Sequence, residues 1–223
     1  MITVHHLNNS RSQRVLWLLE ELELPYEIVG YQRNAATMLA PAALRAVHPL
    51  GKSPIITDGE ITLAETGAIV QYLAEHPGGG RLLPAQGTPE RLRCIYWVHY
   101  AEGSAMPPLL LKLIFDRMET QPMPFFMKPI IRMIADRTKS NFVEPQLKLH
   151  LDYLESELEK STWFAGPDLS IADIMLSFPL EAAVSRGGLD AGRPNLWRFL
   201  QSIHARPAYR RALAKGGPYE IVS

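Results

Sequence analysis

Cysteine is almost absent from this chain, because Cys94 is the only one among 223 residues. A single cysteine cannot form an internal disulfide, and without a Cys-x-x-Cys pair the chain has no dithiol for redox chemistry. His5 and His6 are neighbours on a predicted strand, but no other histidine, cysteine or carboxylate has the spacing to complete a metal site with them. We therefore expect neither a metal nor a disulfide framework.

An excess of charge of either sign is also missing, because 23 lysines and arginines balance 23 aspartates and glutamates. Such a chain has no long-range attraction for nucleic acid or for an anionic membrane. No stretch approaches the roughly 18 uninterrupted apolar residues of a membrane-spanning helix. The N-terminus enters a strand pattern at once, without the basic segment and apolar run of a secretory signal. We expect a cytoplasmic protein with neither nucleic acid nor membrane among its partners.

Helix breakers divide the sequence into two parts. His76-Pro77-Gly78-Gly79-Gly80 would end a helix, and the residues from there to Pro89 include too many breakers for a regular element. We predict an N-terminal domain over residues 1–78, a linker over 79–88 and a second domain over 89–223. An apolar content of 47% is sufficient for two hydrophobic cores.

The first part alternates strands and helices. Ile2–Leu7 and Tyr26–Val29 read as short strands, and the segment between them has a helical apolar face that stops before Pro25. A strand-helix-strand unit of this length implies a parallel pair with a right-handed crossover. Ile55–Leu63 predicts a hairpin with its turn at Asp58-Gly59. The order βαβ, a helical or irregular stretch, ββα is typical of a thioredoxin-like domain.

The second part shows only helical periodicity. Thr88-Pro89-Glu90 has the threonine cap and first-position proline of a helix start. Ser170-x-x-Asp173 is a capping pair in front of the apolar segment Ile174–Phe178, which predicts a buried helix. A stripe at helical spacing consists of Leu147, Leu151, Leu154 and Leu158. The predicted fold class is an α/β domain followed by an all-α domain.

Two short motifs indicate a binding site. Ser53-Pro54 stands at the mouth of a strand, where a cis peptide bond would leave the N–H and C=O of Ser53 free to pair with an extended peptide. An ordinary strand-entry proline is the alternative. Glu65-Thr66 stands at a helix N-terminus, which suits a ligand carboxylate. The alternative is that Thr66 is an N-cap and Glu65 a first-turn charge.

Together these motifs resemble the N-terminal half of glutathione S-transferases, which carries a cis-proline and then a Glu/Gln-Ser/Thr pair at the start of a helix. The Ser170-x-x-Asp173 segment resembles the buried central helix of the same family, so the resemblance covers nearly the whole chain. It implies a thioredoxin-like domain followed by a helical domain.

The resemblance also implies glutathione as co-substrate. Ser53, next to Pro54, would pair through its backbone with the cysteinyl part of glutathione. Glu65 and Thr66 would hold the γ-glutamyl end, and Lys52 would lie near the glycine carboxylate.

Chemistry in this family depends on holding the peptide sulfur as a thiolate, because the thiolate is the nucleophile. A hydroxyl donor and a helix N-terminus would both stabilise that anion. Members of this family use a tyrosine, a serine or a cysteine near this point. No tyrosine or cysteine lies between Met1 and Arg14, so the resemblance implies that Ser10 is the donor. Two alternatives remain open. Ser10-x-x-Gln13 could be a capping box without a catalytic role, and Asn9 or Arg11 could stabilise the sulfur instead.

The acceptor substrate is less defined. Residues 106–134 hold many methionines, leucines and phenylalanines, which by the resemblance would line the acceptor pocket and otherwise would be core packing. We expect conjugation of glutathione to small apolar electrophiles in detoxification, and the same thiolate could attack hydroperoxides. The alternatives are a glutathione-dependent isomerase, dehalogenase or thiol transferase, and a non-catalytic interaction module. A homodimer is expected from the resemblance.

Overall fold

The computed structural model describes residues 1–34, 37, 39–219 and 221. Its first part alternates strands and helices in the predicted order. The elements are β1 (Ile2–Leu7), α1 (Ser12–Glu21), β2 (Tyr26–Tyr31), α2 (Ala42–Val47), β3 (Ile55–Asp58), β4 (Ile61–Ala64) and α3 (Thr66–Glu75).

The four strands form one mixed sheet in the order β2-β1-β3-β4. Val4 of β1 lies opposite Ile28 of parallel β2 and opposite Ile56 of antiparallel β3. Because β3 runs against its neighbours, its N-terminal end meets the C-terminal ends of β1, β2 and β4 at the same edge of the sheet. Segments that are far apart in sequence are therefore neighbours along this edge.

The hairpin turn differs from the prediction by one residue. Asp58 is the last residue of β3 and pairs with Ile61, so the two turn residues are Gly59 and Glu60. Gly59 has a φ of 59° at the first central position of the turn. Glycine reaches this conformation without steric cost, which explains why the turn centres on it rather than on Asp58.

The second part is helical, as predicted. Its helices are α4 (Pro89–Tyr100), α5 (Met106–Thr120), α6 (Lys128–Thr138), α7 (Glu144–Lys160), α8 (Ile171–Arg186), α9 (Pro194–Ala205) and α10 (Pro207–Gly216). π-Helical turns at Ala101–Ala105 and Lys139–Val143 join α4 to α5 and α6 to α7. Helix α8 is buried along most of its length and begins with the predicted capping box of Ser170 and Asp173. The predicted fold class is confirmed.

A buried arginine joins the two parts. Arg14 of α1 is 1% exposed and donates a hydrogen bond of 2.5 Å to the carbonyl oxygen of Met175 in α8. It also pairs with Glu102 in the first π-helical turn. Burial raises the pKa of Glu102, but the nearby charges of Arg14 and Arg11 outweigh it and lower that pKa. The ion pair satisfies charges that would be costly to bury alone.

The C-terminal helix α10 is held against α1 by a second set of ion pairs. Glu20 accepts hydrogen bonds from Arg211 (2.6 Å), Lys215 and the Tyr26 hydroxyl (2.7 Å). Burial raises the pKa of Glu20, but these hydrogen bonds outweigh it and lower the pKa to about 2. The docking of α10 therefore depends on an ionised Glu20.

Acid should weaken this contact. A carboxylate whose pKa is lowered on folding stabilises the fold above its unfolded pKa, near 4.5, and loses that effect as the pH falls toward 2. We expect up to about 3 kcal/mol of unfolding free energy to be lost in this interval because of Glu20. Urea unfolding of Glu20→Gln at several pH values should show a flatter pH dependence than the wild type. Glu23→Gln, at an exposed neighbouring position, is the matched control; an equal slope in Glu20→Gln and wild type would contradict the assignment.

Candidate active site

A cavity of about 430 Å³ opens at the sheet edge where β1, β3 and β4 meet α1 and α3. All eight residues that were predicted to contact glutathione or to stabilise its sulfur line this cavity. They come from three segments: Asn9, Ser10 and Arg11 after β1; Lys52, Ser53 and Pro54 before β3; and Glu65 and Thr66 after β4. The sheet order explains this convergence, because neighbouring strands are about 4.8 Å apart.

The Ser53-Pro54 peptide bond is cis, as expected. The Ser53 hydroxyl donates to the carbonyl oxygen of His5 at 3.1 Å and accepts from the N–H of Leu7 at 3.3 Å. The Ser53 side chain is thus fastened to β1. Its backbone lies in the wall of the cavity, next to Pro54.

Glu65 and Thr66 mark the opposite side of the cavity. Helix α3 begins at Thr66, which is 4% exposed, with Glu65 at the N-cap position, and among the described residues no side chain caps the helix. The alternative role of Thr66 as an N-cap is therefore wrong. Glu65 has a φ of 70°, an unfavourable conformation for a residue with a side chain, which costs on the order of 1–3 kcal/mol. Strained residues of this kind cluster at active sites and ligand clamps, which agrees with the position of Glu65 in the wall of the cavity.

Ser10 belongs to a chain of buried hydroxyl groups. Its Oγ lies 2.7 Å from the Oγ of Ser12 and 3.4 Å from the Oγ of Ser53. The Oγ of Ser12 lies in turn 2.8 Å from Nδ1 of His6. Helix α1 begins at Ser12, after Arg11, and the Oγ of Ser10 accepts a hydrogen bond from the N–H of Ser12 at 3.3 Å. The N–H of Gln13 bonds to the backbone carbonyl of Ser10 and not to its side chain, so Ser10 and Gln13 do not form the capping box that was the alternative.

The protonation state of His6 determines which groups donate and which accept in these hydrogen bonds. Burial lowers the pKa of His6, and a hydrogen bond to the backbone of Gly216 only partly opposes this, so the imidazole is neutral near pH 7. With one ring nitrogen donating to Gly216, Nδ1 accepts from Ser12, and the Oγ of Ser12 can accept from Ser10. A thiolate in the cavity would compete for the Ser10 proton, because hydrogen bonds to anions are about twice as strong as neutral ones.

Arg11 forms an ion pair with Glu102. Its Nε donates to both carboxylate oxygens of Glu102, at 3.2 and 3.0 Å, and its guanidinium lies 5.3 Å from the centre of the Phe178 ring. Asn9 lines the same cavity with a φ of 50°, which asparagine tolerates well. Arg11 therefore presents a charge in a fixed position rather than a mobile one.

The wall that carries Lys52 contains a second cation that the sequence analysis missed. Arg45 of α2 lines the cavity, and its side chain packs over Gly51. A Cβ atom at Gly51 would lie 2.5 Å from Cγ of Arg45, so glycine is required for this close approach. Arg45 lies seven positions before Lys52 in the six-residue helix α2, which is too short for a sequence pattern to predict the direction of its side chain.

The helical part closes the cavity with Glu102 and Phe178. Residues 106–134, which were expected to line the acceptor pocket, do not line this cavity. Cys94 is buried away from it, and burial raises the pKa of its thiol, so it is not a nucleophile. Within the described residues there is no group of three or more possible metal ligands, and no helix has the length and apolar character to cross a membrane.

Comparison with known proteins gives the same family for both parts. The sequence matches the glutathione S-transferase N-terminal domain over residues 1–75 and the glutathione S-transferase C-terminal domain over residues 118–207. Glutathione S-transferase 3 of Schizosaccharomyces pombe is 34% identical over 215 residues, covering 96% of this chain and 88% of that protein. The disulfide-bond oxidoreductase YfcG of Escherichia coli is 30% identical, covering 96% of this chain and 95% of that protein.

A solved structure extends the agreement to the whole fold. The crystal structure of a glutathione S-transferase from Actinobacillus pleuropneumoniae superposes with a TM-score of 0.80 at 34% identity, covering 99% of this chain and 95% of the other. The chain therefore belongs to the glutathione S-transferase family, and the expected enzyme class and glutathione co-substrate are confirmed with it.

Proposed function

We propose that the chain transfers the sulfur of glutathione to a small electrophile with an apolar body. Residues 1–78 bind glutathione, and helices of residues 89–223 close the acceptor end of the cavity. The observation that carries the proposal is the convergence of eight candidate residues from three separate segments on one cavity of about 430 Å³. A volume of this size is within the range of small-ligand sites.

Glutathione lies along the sheet edge in this proposal. The backbone of Ser53 pairs with the cysteinyl residue, as a strand edge pairs with an extended peptide. Thr66 and the first N–H groups of α3 bind the γ-glutamyl carboxylate, and Glu65 accepts from its ammonium group. Lys52 and Arg45 bind the glycyl carboxylate at the other end. This arrangement brings the cysteinyl sulfur toward Ser10, whose Oγ is 3.4 Å from that of Ser53.

Ser10 then stabilises the thiolate by donating its hydroxyl proton to the sulfur. A hydrogen bond to the charged form lowers the pKa of the thiol below the roughly 8.5 of a free cysteine. The thiol proton leaves to solvent, and the thiolate attacks the electrophilic carbon. A carbon–sulfur bond forms, and a leaving group such as chloride departs with its bonding electrons. Asn9 and Arg11 remain the alternative stabilisers of the sulfur.

A second candidate function is thiol-disulfide exchange, supported by the relative named as a disulfide-bond oxidoreductase. The same thiolate would attack one sulfur of a disulfide, forming a mixed disulfide with glutathione and releasing a thiolate. No cysteine of the chain is needed for this step. The same activated sulfur would also be needed for attack on a hydroperoxide, for isomerisation and for dehalogenation. A non-catalytic module would not need the hydrogen bonds that link Ser10 through Ser12 to His6.

We also propose a cytoplasmic homodimer that acts in detoxification. The dimer is supported by large apolar side chains that a single chain leaves exposed on and next to α6: Phe125, Phe126, Ile130, Met133 and Ile134. Burial of such a patch against a second copy would remove apolar surface from water. A cytoplasmic location would place the chain where glutathione is abundant.

The proposed function is tested by a panel of acceptors. Purified protein with glutathione should turn over a chloronitroarene faster, relative to the enzyme-free reaction, than an organic hydroperoxide or a small mixed disulfide. Preference for the mixed disulfide would replace conjugation by the second candidate function. Absence of turnover with every acceptor, together with retention on immobilised glutathione, would leave a binding module and overturn the proposed reaction.

A further inference from the structure

The glutathione cavity itself offers few groups that could take the thiol proton. Among the described residues that line it, the carboxylates are those of Glu65 and Glu102, and the imidazole is that of His48. Glu102 is paired with two arginines, which lower its pKa, and Glu65 accepts from the ammonium group of glutathione in the proposed function. In the described part of the chain, the hydroxyl of Ser10 has no hydrogen bond to any of these three side chains.

Two hydroxyl groups instead connect the cavity to a buried histidine outside it. The Oγ of Ser10 lies 2.7 Å from the Oγ of Ser12, which lies 2.8 Å from Nδ1 of His6. The carbonyl oxygen of Leu7 also faces the Oγ of Ser12, but at 3.4 Å, so the imidazole is the nearer acceptor for the Ser12 proton. The side chains of Ser10, Ser12 and His6, here called the hydroxyl relay, form a continuous hydrogen-bonded path.

The end of helix α10 fixes the other side of the His6 ring. A Cβ atom at Gly216 would lie 3.4 Å from Cε1 of His6 and 2.6 Å from Oε1 of Gln13, so the helix end is in close contact with both side chains. The His6 ring bonds to the backbone of Gly216, and a ring nitrogen that donates there leaves Nδ1 as the acceptor. Each hydroxyl of the relay then donates in the direction of His6, away from the cavity.

His6 also lines a second cavity, of about 350 Å³. Among the described residues, the two cavities share only Asn9. Lys215 is the one charged residue among those described in the wall of the second cavity, and it is paired with Glu20. This volume is sufficient for several water molecules, each of which occupies about 30 Å³ in the liquid. A proton that reaches His6 can therefore leave without returning to the glutathione cavity.

We propose that His6 receives the thiol proton of bound glutathione through Ser10 and Ser12 and passes it to water in the second cavity. This inference rests on the proposed function and gives the thiol proton its route to solvent. The S–H bond breaks as its proton binds to the Oγ of Ser10. The Ser10 proton moves to the Oγ of Ser12, and the Ser12 proton moves to Nδ1 of His6. The sulfur keeps the bonding electron pair as the thiolate, and His6 becomes an imidazolium ion.

The transfer also reverses the direction of every hydrogen bond in the relay. Ser10 then donates to the thiolate, Ser12 donates to Ser10, and Nδ1 of His6 donates to Ser12. The relay thus stabilises the anion that it has produced. Burial lowers the pKa of His6, so the imidazolium ion is unfavourable and gives up its proton to water. His6 touches neither glutathione nor the acceptor and acts only through the two hydroxyls.

The test measures how fast the thiolate absorbance rises after rapid mixing of the protein with glutathione in dilute buffer. His6→Asn keeps a hydrogen-bond acceptor for Ser12, but an amide does not take up a proton. This variant should form the thiolate about tenfold or more slowly than the wild type. The pKa of the bound thiol should be nearly unchanged, because Ser10 still donates to the sulfur. Ser12→Ala interrupts the relay without altering His6 and should slow the reaction by a similar factor.

His5→Asn is the matched control. His5 is on the same strand and is 8% exposed, against 7% for His6, but its ring bonds to Tyr31 and Thr57. This control should form the thiolate at the wild-type rate. Added imidazole buffer should accelerate His6→Asn toward the wild-type rate, because a small base can then take the proton. The wild type should not respond to the added buffer.

Equal rates of thiolate formation in the wild type and in either relay variant, His6→Asn or Ser12→Ala, would overturn the inference. So would a slow rate in His6→Asn that imidazole does not restore, since His6 would then only hold the hydroxyls in place. The failure of the proposed function has a different signature. Wild-type protein saturated with glutathione would show no thiolate absorbance near neutral pH, whatever the buffer concentration.

Discussion

Replacing Asp173 by alanine should lower the free energy of unfolding by about 3–5 kcal/mol and the Tm by about 10 °C. Asp173 is completely buried at the start of α8. Its carboxylate accepts from the N–H of Phe164 at 2.9 Å, the N–H of Ser170 at 2.8 Å and the hydroxyl of Ser170 at 3.0 Å. Alanine would leave these donors buried without an acceptor, and each such donor costs about 1–3 kcal/mol.

Asp168→Ala is the matched control, because it removes a carboxylate from an exposed position of the same segment. Urea unfolding and thermal melts of the two variants compare the loss of a buried capping carboxylate with the loss of an exposed one. Asp168→Ala should unfold like the wild type. A soluble Asp173→Ala protein with an unchanged melting temperature would show that the capping box does not hold the central helix in place.

Removal of the Ser10 hydroxyl should lower kcat with a chloronitroarene by about tenfold or more, with little change in the Kd for glutathione. The hydroxyl stabilises the thiolate in this account, whereas the affinity for glutathione comes from Ser53, Glu65 and Thr66. Alanine removes one buried oxygen and leaves Ser12 with His6 as its partner. Turnover and calorimetry of Ser10→Ala measure the two effects separately.

Asn9→Ala and Arg11→Gln test the alternative stabilisers of the sulfur in the same assay. Wild-type turnover in Ser10→Ala would remove Ser10 from the role. A tenfold loss in only one of the other two variants would then assign the role to that residue. Arg11→Gln needs a thermal melt as well, because Arg11 shares Glu102 with the buried Arg14.

Those parts of the fold that depend on local chemistry were predictable from the sequence. Alternation and apolar periodicity located the strands and helices, and Ser170-x-x-Asp173 marked the start of α8 because a capping box involves residues only three positions apart. Ser53-Pro54 was predictable as a cis peptide bond because only proline makes that isomer accessible. The hairpin turn lies one residue later than predicted, at Gly59 and Glu60 instead of Asp58 and Gly59, because Asp58 still pairs with Ile61 of β4.

The rest depended on contacts between distant segments. The pairing of Arg14 with Glu102 spans 88 positions, and no local pattern connects an arginine in an amphipathic helix with a glutamate in a π-helical turn. The links from Ser10 through Ser12 to His6 need the actual separation of β1 and α1. The sequence shows that residues 106–134 are rich in apolar side chains, but it does not show whether these side chains face the cavity.

The central claim is that this cavity binds glutathione so that Ser10 helps to remove the proton from its sulfur. The ultraviolet absorbance of the thiolate, followed in a pH titration of saturated protein, measures that proton directly. The account predicts that the bound thiol has a pKa about one unit or more below the roughly 8.5 of a free cysteine thiol, and that Ser10→Ala raises it again. A bound thiol with an unshifted pKa, or saturation that cannot be reached at millimolar glutathione, would contradict it.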